Sequence, residues 1–374
     1  MSGVGSDTAS VAPKAELVRQ GRPLIDVRAP VEFAQGSLPG AVNLPLMNDD
    51  ERHQVGIAYK KHGQQQAVAL GEKLVSGAVK TARVNAWCDY LARHPNALIY
   101  CFRGGMRSQI VQQWLAKAGC SAPRIDGGWK AMRQMLCARI DAAAEQPMLM
   151  ISGLTGCAKT VLINRLECGV DLEGFANHKG SAFGRMPEPP PPQIDFEHAL
   201  AQRLMALSGP LILEDESRQV GNVNVPLTFW QGMEQAPRIR VEMPLDWRLE
   251  QLRQDYIIDL ERAHCERFGE QEGWERMRQQ LGNALLRLKK RLGSARLARL
   301  QRLQALAFAA HESGDRQAHE AWLAPLLTEY YDPMYRYQLT RKQQAGLKEY
   351  HVGDWDSCLD AARQWQAEQR GLKR

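Results

Sequence analysis

"ALIYCFRGGMRSQIVQQWLAKAG" (residues 97–119) holds, in order, an apolar run, a thiol, a pair of glycines set between two arginines, and a helical pattern. Residues 97–102 read as a buried parallel strand. After the loop, Ile110, Val111, Trp114, Leu115 and Ala118 fall on one helical face, and Gly119 supplies a stop. Strand, loop and helix are therefore consecutive. That is α/β architecture, with a site where the carboxyl end of a strand meets the amino end of a helix. In the loop, Cys101 precedes Gly104 and Gly105, which Arg103 and Arg107 flank. Inward-facing amides, the helix terminus and two guanidinium groups all favour an anion: the Cys101 thiolate, a tetrahedral oxyanion, or a chalcogen anion carried on the sulfur.

Upstream, "PLIDVR" (residues 23–28) reads as another buried strand of the same unit. Downstream, a second α/β unit begins near Gln146. There "PMLMIS" (residues 147–152) reads as a strand, "GLTGCAKT" (residues 153–160) as a glycine-bearing turn and "VLINRL" as the start of a helix. The turn fits the phosphate-binding P-loop pattern at Gly153, Lys159 and Thr160, with Gly156 inside it. Its amides would hold phosphate oxygens, and Lys159 would add a positive charge. Ala158 stands where the pattern has glycine, and its methyl group restricts the backbone. Diphosphate binding is the expectation, rather than ordinary ATP hydrolysis. "PLILEDES" (residues 210–217) puts Asp215 and Glu216 at a strand end, either as magnesium ligands or as a solvated acidic loop. "MPEPPPPQ" (residues 186–193) must be an extended or mobile loop, because consecutive prolines neither continue a helix nor pair in a sheet.

The chain has 374 residues and a formal net charge of +6, which favours a polyanionic partner. Its eight cysteines form no CxxC pair and no metal-ligand spacing with the nine histidines, so neither a zinc site nor a disulfide framework is expected, and most thiols are expected to be reduced. The opening residues lack a leader pattern and no window approaches a membrane span, so a cytoplasmic, soluble protein without a membrane partner is expected. Residues 287–302, "RLKKRLGSARLARLQR", carry seven basic residues and no acid. They are a candidate nucleic-acid contact, while Leu288, Leu292, Leu297, Leu300 and Leu303 equally suit a helix with a buried side. Tyr330, Tyr331, Tyr335 and Tyr337 suit either base stacking or packing. The expected organisation is a tail (residues 1–13), a first α/β domain (14–137), a P-loop-like α/β domain (146–244) and a mainly helical C-terminal region (245–374).

"LIDVRAPVEFAQGSLPGAVNLPL" (residues 24–46) and "RIDGGWKAM" (residues 124–132), with the cysteine loop between them, resemble rhodanese sulfurtransferase domains. The resemblance implies that Cys101 carries a chalcogen. The spacing from Cys101 to Arg107 is also that of cysteine-dependent phosphatases, some of which share the rhodanese fold. Over nearly the whole chain, "DLEGFANHKGSAFG" (residues 171–184), "EDESR" (residues 214–218) and "YYDPMYRYQL" (residues 330–339) resemble blocks of bacterial tRNA 2-selenouridine synthases. Cys157 and Ala158 depart from that family's pattern. The resemblance implies a two-step change at the wobble 2-thiouridine of tRNAs for lysine, glutamate and glutamine. Geranyl diphosphate first alkylates the sulfur, and selenium from selenophosphate then replaces the S-geranyl group, so a selenophosphate-producing enzyme is the implied donor. In this scheme Cys101 takes selenium as a selenylsulfide, steadied by Arg103, Arg107 and the amides at Gly104 and Gly105. The P-loop residues Gly153, Gly156, Lys159 and Thr160 hold the diphosphate, with magnesium as a possible companion. The rival readings are a rhodanese-like or phosphatase-like enzyme fused to a small-molecule kinase, and a catalytically silent tRNA-binding protein.

Overall fold

The computed structural model describes residues 9–371, so residues 1–8 of the expected tail lie outside the described residues. The chain forms two compact units. One comprises the chain up to Ile140 together with Pro192–Ala206, and the other comprises Asp141–Pro191 and the chain from Leu207 onward.

The first unit is built on a parallel sheet of β1 (Ser10–Val11), β2 (Leu24–Asp26), β3 (Ala41–Asn43), β4 (Leu98–Tyr100) and β5 (Arg124–Ile125), in the order β1-β5-β4-β2-β3. β2 and β4 are buried at every residue, as short apolar runs in the middle of a covered sheet must be. Residues 10 and 11, read above as tail, instead pair with β5 at the sheet edge. The helices Gly77–Arg93 and Met106–Lys117 bring Trp87, Leu91, Val111 and Leu115 into one core with Ile25 and Ile99. Cys88 and Cys120 are joined as a disulfide, with Cα atoms 6.1 Å apart, contrary to the expectation from cysteine spacing; the fold brings together residues 32 apart that no local motif links. The other six cysteines are outside any disulfide.

The helix Gln193–Ala206 follows the prolines and joins this first unit. Asp195 Oδ1 accepts from the Ser37 amide at 2.8 Å, His198 Nδ1 donates to the Ser37 carbonyl at 2.5 Å, and Arg139 donates to the Leu204 carbonyl at 2.6 Å. Burial pushes the His198 imidazole down to about 4, so the ring is neutral there.

The second unit carries β6 (Met148–Gly153), β7 (Gly169–Val170), β8 (Leu211–Glu214), the hairpin strands β9 (Gln219–Val220) and β10 (Val223–Asn224), β11 (Arg238–Val241) and β12 (Glu349–Gly353). Five of them form a parallel sheet in the order β12-β11-β6-β8-β7. β12 comes from the region read above as helical. With the helix Trp355–Gly371 it returns to the sheet, where Cys358, Leu359, Ala362 and Trp365 pack with Leu149, Ile151 and Ile239. A separate helical core gathers Met277, Leu281, Leu285, Leu300, Trp322 and Leu326. The leucines of the basic segment at residues 288, 292, 297 and 300 are buried in it. No helix among the described residues is long and apolar enough to cross a membrane.

Two candidate anion sites, one in each unit

β4 delivers Cys101 to the carboxyl end of the first sheet, and the helix Met106–Lys117 begins five residues later. Cys101 is buried, with Sγ 3.4 Å from Ser108 Oγ. Ser108 donates its own proton to the Gly105 carbonyl at 2.9 Å, which turns its oxygen lone pairs toward the thiol. Gly104 is at φ +63°, and a Cβ there would stand 2.5 Å from the Ile125 carbonyl oxygen; one on Gly128 would stand 2.2 Å from that of Cys101. The "RIDGGWKAM" turn is thus pressed against the loop. The Trp129 and Lys130 amides donate to the Cys101 and Phe102 carbonyls, both at 2.9 Å.

The "LIDVRAPVEF" block closes the site from the other side. Asp26 and Arg28 form a buried ion pair at 2.6 Å, and Arg28 also donates to the Gly36 carbonyl at 2.9 Å. The chain they shape carries Glu32, whose carboxylate takes both ends of the Arg107 guanidinium. Burial works against ionisation of Glu32, yet hydrogen bonding and charge from Arg107, the Ala29 amide and Arg52 outweigh it and hold the carboxyl below its usual range. Cys101, Arg103, Gly105 and Arg107 line one cavity of about 800 Å³. Gly104 supports the loop from behind.

In the second unit, β6 leads through the turn at residues 153–158 into the short helix Lys159–Asn164. Ala158 adopts left-handed backbone at φ 49°, the conformation its glycine counterpart in the P-loop pattern takes freely. Arg248 braces the turn: it donates to the Thr155 carbonyl at 2.9 Å and forms a buried bidentate pair with Asp332 at 2.9 and 2.6 Å. Gly156 packs against the Arg248 carbonyl. Trp355 donates to the Ala158 carbonyl at 3.3 Å.

Two cavities, of about 360 and 320 Å³, meet at Lys159, Glu216 and Tyr335, which line both. Gly153 opens onto the first, Gly156 and Thr160 onto the second. Glu173 faces Thr160, whose hydroxyl donates to its carboxylate at 3.2 Å. Burial, then the charge of Glu216, push Glu173 up to about 8, against the pull of Lys159 and Thr160. For Lys159 burial alone would favour the neutral amine; Tyr335, Glu216 and Glu173 reverse that and keep it charged. Of the three acids in "LILEDES", Glu214 is fully buried and accepts from the Leu172 amide at 3.0 Å, Asp215 is paired with Lys342 at 2.8 Å and Arg238 at 3.3 Å, and Glu216 faces the cavities. No group of three His, Cys, Asp or Glu residues among the described residues could hold a metal ion.

The three sequence blocks thus meet at one place: Glu173, Lys179 and Ser181 come from the first, Glu216 from the second, Tyr335 from the third. The blocks are legible in the sequence, but Glu173, Arg248 and Asp332 are not legible there as site residues, because no spacing says which acid meets Lys159. Tyr330 and Tyr331 are core residues, whereas Tyr337 is exposed. In the basic segment Arg291 donates to the Tyr330 hydroxyl at 3.0 Å and Arg296 and Arg299 engage Glu329; Lys289, Lys290 and Arg302 are exposed.

The fold and the two loops define a rhodanese-like domain joined to a P-loop domain. Residues 13–135 match the rhodanese-like domain family, and residues 146–369 match the family described as the tRNA 2-selenouridine synthase AAA domain. The chain is 62% identical to the tRNA 2-selenouridine synthase of Chromohalobacter salexigens, over 96% of this chain and 98% of that one. To the Shewanella loihica enzyme of the same name it is 48% identical, over 89% and 92%, and to that of Cronobacter sakazakii 47%, over 90% and 93%. The chain belongs to the tRNA 2-selenouridine synthase family.

Proposed function

We propose that this protein converts the wobble 2-thiouridine of tRNAs for lysine, glutamate and glutamine to 2-selenouridine through an S-geranyl intermediate, with geranyl diphosphate and selenophosphate as co-substrates. The observation that carries this reading is the pairing of two different anion sites in one chain: a thiol at a strand end, and a lysine-bearing phosphate turn ringed by the family's sequence blocks. Its tRNA is met through cationic surface, for which Lys289, Lys290 and Arg302 are available.

At the P-loop, the thiouridine sulfur attacks the first carbon of the geranyl group. The carbon–oxygen bond breaks with its electron pair on the diphosphate, and the base loses its N3 proton. Lys159 and the turn amides stabilise the departing charge. The Thr160 hydroxyl and the Glu173 and Glu216 carboxyls are hard oxygen donors that a magnesium ion arriving with the diphosphate would meet. At the rhodanese-like loop, selenophosphate supplied by a selenophosphate-producing enzyme is held beside Cys101, where Arg103 and Arg107 supply positive charge. Its selenium, already at the selenide level, attacks C2 of the base, the S-geranyl group leaves as geranylthiolate, and water takes the phosphoryl group as phosphate. Geranylation first makes sense because it turns a thiocarbonyl into a thioether, which leaves as a thiolate.

The test is to incubate the protein with thiolated tRNA, adding geranyl diphosphate and selenophosphate separately and together, and to identify the nucleosides by mass. S-geranyl-2-thiouridine with the first alone and 2-selenouridine with both are the expected products; no change in any mixture overturns the reading.

A further inference from the structure

We propose that the cavity beside Cys101 seats the prenyl chain that departs when selenium enters the base. The proposal rests on the two-step reading above. The cavity, about 800 Å³, runs from the Cys101 loop to the helix Asp49–Leu74. Pockets that bury small molecules span roughly 300–1,000 Å³. Its wall includes Val55, Val68, Ile110 and Trp114.

Ile57, Tyr59 and Met106 also line it, and these are 41%, 59% and 39% exposed. Large apolar side chains clustered in the open mark a surface that something else covers. Arg52, Lys60 and Arg103 share the same lining. The cavity therefore offers both hydrocarbon and positive charge, Arg107 included, beside the carboxylates of Glu32 and Glu72, which complements a lipid chain attached to a polyanion.

The chemistry selects the occupant. As the bond from C2 to the selenium of selenophosphate forms, the C2–sulfur bond breaks and its electron pair leaves on geranylthiolate; water then cleaves the phosphorus–selenium bond, releasing phosphate and leaving selenium on the base. The prenyl chain hangs from that sulfur, one bond from the carbon under attack, so it lies beside Cys101 at the moment of transfer. Burying it there orients the thioether and favours departure of the geranylthiolate into a site that already holds its chain.

The test uses the full-length protein with selenophosphate and no geranyl diphosphate, on two tRNAs that carry S-geranyl-2-thiouridine or S-methyl-2-thiouridine at the wobble position. The two thiolates are similar leaving groups, so a difference reports recognition of the chain. The expected result is a kcat/KM for selenation roughly tenfold or more higher with the geranyl tRNA. In Ile57→Glu and Met106→Glu, whose exposed side chains can be replaced without opening the core, that ratio should shrink. Equal kcat/KM for both tRNAs in the unchanged protein, or a ratio that neither variant alters, overturns the proposal while leaving the two-step reading intact. Selenation of neither tRNA overturns the two-step reading and the proposal with it.

Discussion

The Glu32 carboxylate holds both ends of the Arg107 guanidinium, Nη1 to Oε2 at 2.6 Å and Nη2 to Oε1 at 3.2 Å. A residue of the segment after β2 thereby fixes the arginine that the cysteine loop presents. A guanidinium held in this way is oriented for an anion beside it, and its positive charge is already partly matched.

Glu32→Gln should lower unfolding free energy at pH 7 by about 1–3 kcal/mol, the range for hydrogen bonds to charged groups. Because the Glu32 carboxyl is held below its usual range, its contribution is present above the unfolded value of 4.5 and is lost as pH falls through the lower folded value. The gap between the two proteins in urea denaturation should therefore close on acidification below about pH 4.5. A gap that persists to the lowest accessible pH would show that the glutamine acts through packing.

Cys101→Ala and Lys159→Ala should fail in opposite ways. The first should still form S-geranyl-2-thiouridine but no 2-selenouridine. The second should geranylate at least a hundredfold more slowly, by the usual scale for removing an electrostatic contact to a leaving group, yet selenate tRNA that has been geranylated beforehand. Nucleoside mass analysis distinguishes the outcomes. A Lys159→Ala protein that geranylates normally would move the diphosphate away from the P-loop.

Both loops were legible in the sequence because each is a local device: a strand, a turn and a helix in succession carry Cys101 and Lys159 to the same kind of place. What escaped local reading depends on return of the chain. β12 and the helix after it look like any helical tail with a short extended break, and only the open edge of β11 makes residues 349–353 a strand. The helix Gln193–Ala206 has an apolar face that suits either core, and its place in the first unit follows from Asp195 and His198 meeting Ser37, a match of polar atoms that periodicity does not encode. Glu173 and Asp332 were inside quoted blocks, but their partners Thr160 and Arg248 are 13 and 84 residues away.

Ala158→Gly should stabilise the protein. The alanine sits at φ 49°, ψ 41°, where an L side chain costs about 1–2 kcal/mol relative to right-handed helix and glycine does not. Part of the gain is offset by the larger freedom of glycine in the unfolded chain, so a net rise of about 1 kcal/mol is expected in chemical denaturation. A loss of stability would mean that the Ala158 methyl group makes contacts worth more than the backbone relief.

Glu173→Gln tests the carboxyl pair beside the P-loop. Burial and the charge of Glu216 raise Glu173 from 4.5 to about 8. Between those values the folded protein keeps a proton that the unfolded chain releases, so folding binds protons across this window. The stability contributed by the protonated carboxyl is complete below pH 4.5 and disappears as pH rises through about 8. The unchanged protein should therefore lose unfolding free energy as pH rises from 5 to 8, with a slope from this group of at most about 1.4 kcal/mol per pH unit. Glutamine carries no such proton and also relieves Glu216 of a like charge, so the variant should show a flatter profile and its largest advantage at the alkaline end. Parallel profiles for the two proteins would mean that Glu173 is ionised throughout this range, with Lys159 and Thr160 outweighing the repulsion from Glu216.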